Sequence, residues 1–170
     1  MRIEIPTLMV ALLLACSSAA AKAKDVTPQF KTAEAKHFTQ AEGVELSPAF
    51  GDYFYAELRE ELKKAKLAGE VIGEGETVDD ADAPQSIVIT GTITEYKKGS
   101  VVKSTLIGFG AGLRSLKMDA DVLRRSDNQH LEVVHVHVKI DPRWDEKTMA
   151  KFAAHQMVKE MKEALKTQAK

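Results

Sequence analysis

The stretch "LKMDADVLRRSDNQHLEVVHVHVKI", residues 116–140, decides the fold of this chain. Apolar and polar side chains alternate along residues 116–122 and again along residues 134–140, and the polar run "RSDNQ", residues 125–129, lies between them. A period of two is typical of a half-buried strand, and a short polar break between two such strands is typical of a hairpin turn. The stretch therefore predicts an antiparallel hairpin with one apolar face and one polar face.

A further strand is predicted before this hairpin. In "QSIVITGTITEY", residues 85–96, isoleucines alternate with valine and threonine side chains, and a turn is expected at residues 97–100. Gly91 inside this strand predicts a bulge or a close approach by a neighbouring backbone. Nearer the N-terminus, the sequence predicts a short strand around residues 35–40. Residues 69–84 contain only a two-residue apolar step, Val71-Ile72, followed by a solvated acidic loop.

Two segments show the period of an amphipathic helix. The first begins at Ser47-Pro48, because serine can cap the free N–H groups and proline loses nothing at the first helical position. Gly69 is its predicted end, and Asp145 is the predicted cap of the second helix. The apolar stripes are Phe50, Phe54, Leu58, Leu62 and Ala65 in the first helix, and Met149, Phe152, Ala153, Met157, Met161 and Leu165 in the second.

The order of these elements predicts the α+β class. A strand, a helix, several strands and a final helix bury their apolar faces most economically as a two-layer sandwich, with the two amphipathic helices packed on one face of an antiparallel or mixed sheet. The 170 residues suit one domain, and 44% apolar residues suffice for a core. The net charge of -1 gives no field that would attract nucleic acid, so no such partner is expected.

The N-terminus has the pattern of an exported protein. Arg2 precedes an apolar run at residues 8–15, which is shorter than the ~20 residues of a membrane-spanning helix and has the length of a signal-peptide core. The only cysteine, Cys16, follows in "LLLACSS", residues 12–18. This stretch resembles the bacterial lipoprotein box, in which the thiol is acylated and the chain is cut before the cysteine. The alternative is an ordinary export signal with an incidental cysteine.

The lipoprotein interpretation sets domain boundaries and a location. Residues 1–15 are the predicted signal peptide, residues 16–29 the lipidated N-terminus and tether, and residues 30–170 a single α+β envelope domain. Acyl chains on Cys16 would hold the protein on a membrane, at about 0.8 kcal/mol per buried CH₂ group. Ser17 follows the cysteine where aspartate would favour the inner membrane. By resemblance to lipoproteins of Gram-negative bacteria, the predicted location is the periplasmic face of the outer membrane.

The segment "IGFGAG", residues 107–112, is the candidate interaction segment and is called the glycine segment below. Gly108, Gly110 and Gly112 alternate with other residues, and Phe109 lies between the first two. A phosphate-binding loop needs a helix directly after it, whereas a strand pattern follows here, so no nucleotide is expected. Two interpretations stay open: a core segment packed tightly against another backbone, or an exposed apolar segment for self-association or for contact with a membrane or an envelope partner.

His135 and His137 lie two apart on the predicted hairpin and therefore share its polar face. Two imidazoles on one face could bind zinc or copper with a third ligand, for which the candidates are Asp119, Asp121 and His130. A polar sheet face accounts for the same residues without a metal, so no metal or other cofactor is expected. No nucleophile lies in a catalytic motif, which predicts an interaction role rather than an enzyme. A ligand- or metal-binding module on the polar face is the alternative.

Several of these motifs resemble a family of bacterial lipoproteins that carries domain of unknown function forty-four ten. Its members have a lipobox, then "G-x-I-x-x-Y-x-x-G-S", then a basic residue and "G-x-G-x-G"; Gly91, Ile93, Tyr96, Gly99 and Ser100 fit the first pattern, and the glycine segment fits the second. Lys103 stands where the family has arginine, and "RSDNQH" replaces the "D-x-x-T-G" turn. The resemblance spans roughly residues 30–165. It implies an α/β fold and an envelope location and brings no assigned activity.

Overall fold

The computed structural model describes residues 29–102 and 112–168, which form one mixed sheet and two long helices. The strands are β1 (Phe30–Ala35), β2 (Thr39–Gln40), β3 (Ala68–Ile72), β4 (Ser86–Lys97), β5 (Arg114–Arg124) and β6 (His130–Ile140). The helices are α1 (Pro48–Ala65) and α2 (Glu146–Gln168), and a 3₁₀ turn at Ala83–Gln85 precedes β4.

The sheet is organised around the long strand β4. Its strands lie in the order β3-β1-β4-β5-β6, and the short β2 also pairs with β4. β1 runs parallel to both β3 and β4, and β2 also runs parallel to β4, whereas β4, β5 and β6 form an antiparallel meander. Parallel neighbours need a long connection, and α1 lies in the one between β1 and β3.

The predicted hairpin is confirmed as β5 and β6. Leu116 pairs with Val138 and Met118 pairs with Val136, and all four side chains are buried in the core. The polar side chains that alternate with them are exposed or half-buried on the opposite face. Asn128 in the turn adopts a φ of 55°, in the left-handed region that asparagine tolerates better than most residues.

Both predicted helices are confirmed, together with their N-terminal caps. The Phe50 N–H donates to Ser47 Oγ at 3.2 Å, and the Thr148 N–H donates to Asp145 Oδ1 at 2.7 Å. The helices pack against each other, and their apolar stripes join the buried side of the sheet in one hydrophobic cluster. The chain is therefore an α+β two-layer sandwich with both helices in one layer, as predicted.

Two strands differ from the prediction. The strand expected around residues 35–40 divides into β1, which ends at Ala35, and β2, which begins at Thr39. β1 was hard to detect because Thr32 and Glu34 are buried in it at 5% and 4% exposure, so it lacks an alternating pattern. The step Val71-Ile72 belongs to a five-residue strand, β3, because it pairs with β1 in parallel.

The first helix ends earlier than predicted. Its last residue is Ala65, and the cap is Lys66, which adopts the left-handed conformation at φ 51° and donates its N–H to Lys63 O at 3.1 Å. Gly69 lies within β3 instead, where a Cβ atom would come within 3.1 Å of Lys31 O. The helix must end early because β3 begins at Ala68.

The close approach predicted at Gly91 is confirmed. A Cβ atom at this position would lie 2.3 Å from Asp119 O and 2.4 Å from the ring of Phe38. Phe38 follows β1 and meets Phe54 of α1 edge to face, with ring centroids 5.1 Å apart. The missing side chain of Gly91 therefore makes room for an aromatic contact between the sheet and the helix layer.

Within the part of the chain that the structure describes, neither helix has a stretch apolar enough to cross a membrane.

Candidate interaction site

Most of the glycine segment lies outside the described residues. This holds for Gly108, Phe109 and Gly110, whose predicted role therefore stays a prediction. Gly112 is described and adopts a φ of 81°, in the left-handed region that favours glycine. The end of the segment thus has the backbone conformation for which glycine is suited.

The structure describes both chain ends that lead into this connection, and they meet at one end of the sheet. The Ser100 N–H donates to Gly112 O at 2.8 Å. A Cβ atom on Gly99 would lie 2.5 Å from Gly112 O and 2.9 Å from Pro142 Cβ, so the approach requires glycine. The described residues on either side of residues 103–111 are therefore held together at Ser100 and Gly112, and this contact is called the base of the glycine segment below.

Exposed apolar side chains lie beside this base. Val101 is 46% exposed and Val102 is 66% exposed, and they come immediately before the undescribed residues. On the other side of the base, Arg114 Nη1 donates to Trp144 O at 2.9 Å, which ties the start of β5 to the turn that leads into α2. The base of the loop is thus anchored to the helix layer and presents apolar surface.

The two candidate metal ligands contact different partners on the open face of the sheet. His135 Nδ1 lies 2.7 Å from Asp119 Oδ1, whereas His137 Nε2 lies 2.8 Å from Ser115 Oγ. His130 Nδ1 pairs with Asp121 Oδ1 at 3.2 Å. No group of three or more potential metal-ligating side chains occurs among residues 29–102 and 112–168. The histidines therefore form cross-strand pairs rather than one convergent site.

A lysine–glutamate pair extends this polar network. Lys117 Nζ donates to Glu95 Oε2 at 3.0 Å, and Lys97 Nζ lies 3.1 Å from the other carboxylate oxygen. Hydrogen bonds from Lys117 and Lys97 lower the pKa of Glu95, because they stabilise its charged form. Cross-strand pairs of opposite charge are the usual way in which a solvated sheet face is stabilised.

A second surface, which the sequence did not reveal, lies between the two helices. Two adjoining cavities of about 260 and 290 Å³ share Glu61 of α1 and His155 of α2, and together they are called the helix groove below. The first cavity is also lined by Lys64, Ala65, Val158, Lys159 and Lys162. The second is also lined by Trp144, Thr148, Lys151 and Phe152.

Glu61 is the buried charge of the helix groove. Glu61 is 8% exposed. Lys64 Nζ donates to Glu61 Oε1 at 2.6 Å, and His155 Nδ1 lies 2.8 Å from Glu61 Oε2. Burial raises the pKa of Glu61, but the hydrogen bonds from Lys64 and His155 outweigh it, so the net pKa is lowered. An ionised carboxylate only accepts hydrogen bonds, and His155 Nδ1 therefore donates the proton in this pair.

An ion pair between a buried acid and a half-buried arginine lies at the opposite end of the sheet. Glu34 of β1 accepts a hydrogen bond from Arg125 of the hairpin turn, and the same carboxylate accepts the Gly75 N–H at 3.1 Å. Arg125 Nη2 also donates to Glu76 O at 3.0 Å. The acidic loop after β3 is thus fastened to the sheet at these points. The sequence does not predict the contact between Glu34 and Arg125, because β1 lacks an alternating pattern that would show which side chains are buried.

The family model described as Domain of unknown function (DUF4410) matches residues 18–140. This range holds β1 to β6 and α1, and it is the family that the sequence motifs resemble. No curated protein sequence matches the chain.

Comparison with solved structures finds matches to the PelC dodecamer and to a lipoprotein. The PelC dodecamer from Paraburkholderia phytofirmans has a TM-score of 0.55 at 10% identity, with 79% of this chain and 89% of that chain covered. A variant of the same dodecamer has a TM-score of 0.56 at 9% identity, with 79% and 88% covered. Lipoprotein GNA1162 from Neisseria meningitidis has a TM-score of 0.48 at 9% identity, with 79% and 99% covered. At such identities, the PelC likeness shows a shared fold.

Proposed function

The chain belongs to the DUF4410 family, and on this premise we propose that it is a lipid-anchored protein of the bacterial cell envelope. In this proposal it acts by association with copies of itself or with an envelope partner, and it catalyses no reaction. The family is a domain of unknown function, so the proposal depends on the features of this chain.

The N-terminal sequence supports the anchor. Cys16 is the chain's only cysteine, and it directly follows an apolar run of signal-peptide length. A single unpaired thiol is unusual in an exported domain, because such domains use cysteines in pairs for disulfides. Diacylation of Cys16 would hold the domain at the periplasmic face of the outer membrane, to which Ser17 directs it in our proposal.

Self-association is carried by one observation: PelC, whose structure has the same fold, forms a dodecamer. A sandwich of this kind can therefore present surfaces for a ring or another assembly. We assign the contact to the glycine segment, because its base is held closed by Ser100 and Gly112 and carries the exposed Val101 and Val102. Exposed apolar side chains grouped at one end of a fold are typical of contact surfaces.

The described side chains support a role without chemistry. On the open sheet face, Asp119, His135 and His137 are satisfied by neighbours across the strands. A catalytic base or nucleophile is instead held next to a reacting group and to a third side chain that orients it. The pairs on this face have the geometry of cross-strand stabilisation.

The association is tested with Gly110→Val in the full lipidated chain. We expect the variant to fold and to be lipidated, and to lose the oligomers that the unchanged chain forms in detergent, as measured by light scattering. The matched control is Gly51→Val, because a Cβ atom added at Gly51 within α1 meets no neighbouring side chain or strand within 4 Å. An unchanged oligomeric state of Gly110→Val would refute the assignment of the contact.

The anchor is tested separately with Cys16→Ser. We expect this chain to lose the membrane fraction and to appear in the soluble periplasmic fraction after cell breakage. Serine keeps the size and polarity of the side chain but offers no thiol for acylation. If the Cys16→Ser chain is processed and fractionates with membranes as before, the lipid anchor is wrong.

A further inference from the structure

The helix groove combines an apolar floor with basic walls. Ala65, Val158 and Phe152 lie along it, and Lys64, Lys151, Lys159 and Lys162 surround it. Its combined volume of roughly 550 Å³ is within the range in which proteins hold small amphipathic molecules. The groove runs along the outer surface of the helix layer, on the side of the molecule away from the open sheet face.

The charges of the groove are unbalanced. Glu61 is its only lining acid in the described chain, and Lys64 and His155 occupy its two oxygens. Lys162 Nζ donates to Ala65 O at the end of α1 at 2.9 Å. Lys151 and Lys159 have no hydrogen-bond or ion-pair partner among the residues that the structure describes. The groove therefore offers free cations to a ligand, and its one carboxylate is already neutralised.

One end of the groove carries an aromatic pair. Trp144 is 36% exposed, and its ring meets that of Phe152 edge to face with the centroids 5.5 Å apart. Tryptophan with one apolar side and one polar N–H is favoured where hydrocarbon meets water. Lysines can lay their apolar stems along the same surface and keep their charged ends in water.

We propose that the helix groove docks on anionic phospholipids of the membrane to which the chain is anchored. The lysines bind the phosphate groups, and Trp144 with Phe152 enters the boundary between headgroups and acyl chains. The inference rests on the proposed function for the nearness of the bilayer. Even fully extended, the tether from Cys16 to Gln29 spans only about 45 Å, so an anchored domain stays beside the lipid surface.

The chain's own chemistry provides the probe, because Trp144 is its only tryptophan. The full lipidated chain is reconstituted into vesicles of phosphatidylcholine alone and of phosphatidylcholine mixed with phosphatidylglycerol. Both vesicle types carry brominated acyl chains, which quench tryptophan fluorescence on contact. We expect quenching and a blue shift of Trp144 emission in the anionic vesicles, and both effects should weaken as salt is added, because salt screens the lysines.

Charge reversal in the groove separates docking from anchoring. Lys151→Glu with Lys159→Glu should reduce the docked fraction at least tenfold, since each basic group near an anionic surface contributes about a fivefold effect. The control, Lys97→Glu with Lys139→Glu, makes the same charge change on the open sheet face and should quench like the unchanged chain. Flotation of every variant with phosphatidylcholine vesicles at high salt reports the anchor alone.

Three results would overturn the proposal. They are equal quenching in neutral and anionic vesicles, equal loss in both double variants, and absence of quenching in any vesicle while the protein still floats. The last result would instead favour an acidic protein as the partner that binds the helix groove. Failure to float at high salt, by contrast, would refute the anchor of the proposed function, and Trp144 quenching by added anionic vesicles would still decide the docking.

Discussion

The open sheet face and the helix groove differ in whether their charged side chains have partners within the fold. On the open sheet face, His135 and His137 each lie within hydrogen-bond distance of a polar side chain on the neighbouring strand. In the helix groove, Lys64 and His155 bind the buried Glu61, whereas Lys151 and Lys159 lack such a partner in the described chain. A surface with internally paired charges stabilises the fold that carries it, whereas a surface with free charges is suited to binding. Four predictions follow from this difference, in order of expected size.

The largest effect is expected at two neighbouring residues of β4 that belong to opposite faces. Gly91→Ala places a Cβ atom against the Asp119 carbonyl and the Phe38 ring and should lower the free energy of unfolding by about 3 kcal/mol. Thr92→Ala removes only the hydrogen bond to Thr39 Oγ1 at 3.0 Å on the open face and should cost about 0.5–1 kcal/mol. Urea denaturation measures both, and equal losses would contradict the contrast between the faces.

The next effect compares one acid–histidine pair of the helix groove with one of the open sheet face. Glu61→Gln in the helix groove should cost about 1–2 kcal/mol, because it weakens charge-assisted hydrogen bonds to Lys64 and His155 in a buried position. Asp119→Asn beside His135 should change stability by less than about 0.5 kcal/mol, since both partners are exposed. Thermal unfolding at neutral pH measures the loss of stability in both variants. A larger loss in Asp119→Asn would show that the open face, and not the groove, contains the stabilising pair.

The pH dependence of stability should follow the same division. The pKa of Glu61 is lowered from its usual 4.5 in the folded chain, so its contribution is fully present above pH 4.5 and is lost as the pH falls through the folded value. Glu61→Gln should therefore flatten the fall of unfolding free energy below pH 4.5. The pKa of Glu95 is also lowered, by Lys117 and Lys97. The Glu95 side chain is 30% exposed and that of Glu61 is 10% exposed, so Glu95→Gln should flatten the curve less. Urea denaturation over a pH series measures both effects and shows whether Glu61→Gln flattens the curve more than Glu95→Gln does.

The smallest effect concerns metal on the open face. Because His135 and His137 are engaged by different neighbours, titration of the full chain with zinc or copper should release no saturable heat. His135→Ala should give the same calorimetric trace as the unchanged chain. A one-to-one binding heat that disappears in His135→Ala would establish the alternative function, a metal-binding module on the polar sheet face.

The sequence predicts those strands and helices that have one face buried and the other exposed to solvent. The hairpin has clean alternation because Met118 and Val136 face the core while Asp119 and His135 face water. Helix α1 shows its start because Ser47 satisfies the N–H group of Phe50. In each case, a local physical requirement selects a residue type that can be recognised in the sequence.

Strands buried on both faces lose that signal. β1 contains Glu34, which is buried because Arg125 binds it from a turn 91 residues away, and this pairing cannot be seen in the alternation of β1. β3 shows no strand pattern for a related reason: its five residues form a strand only through parallel pairing with β1. Contacts between distant segments determine both strands, and local patterns do not report them.

The candidate sites divide in the same way. The open-face pairs could be predicted in part, because a hairpin register places Asp119 opposite His135. The helix groove could not, because Glu61 and His155 lie 94 residues apart and meet only when the two helices pack. Each of these residues looks like an ordinary polar position on an amphipathic helix. Glu61 is only 8% exposed because the second helix covers it. The sequence around Glu61 therefore does not indicate that this side chain is buried.

In our proposal, fatty acids on the thiol of Cys16 hold this sandwich at a membrane. Mass spectrometry of the N-terminal peptide from the mature, envelope-extracted protein tests it most directly. We expect a chain that begins at Cys16 and whose mass exceeds that of the unmodified peptide by diacylglycerol, with or without a further N-acyl group. A mature chain that begins elsewhere, or one that retains Cys16 as a free thiol, would contradict it.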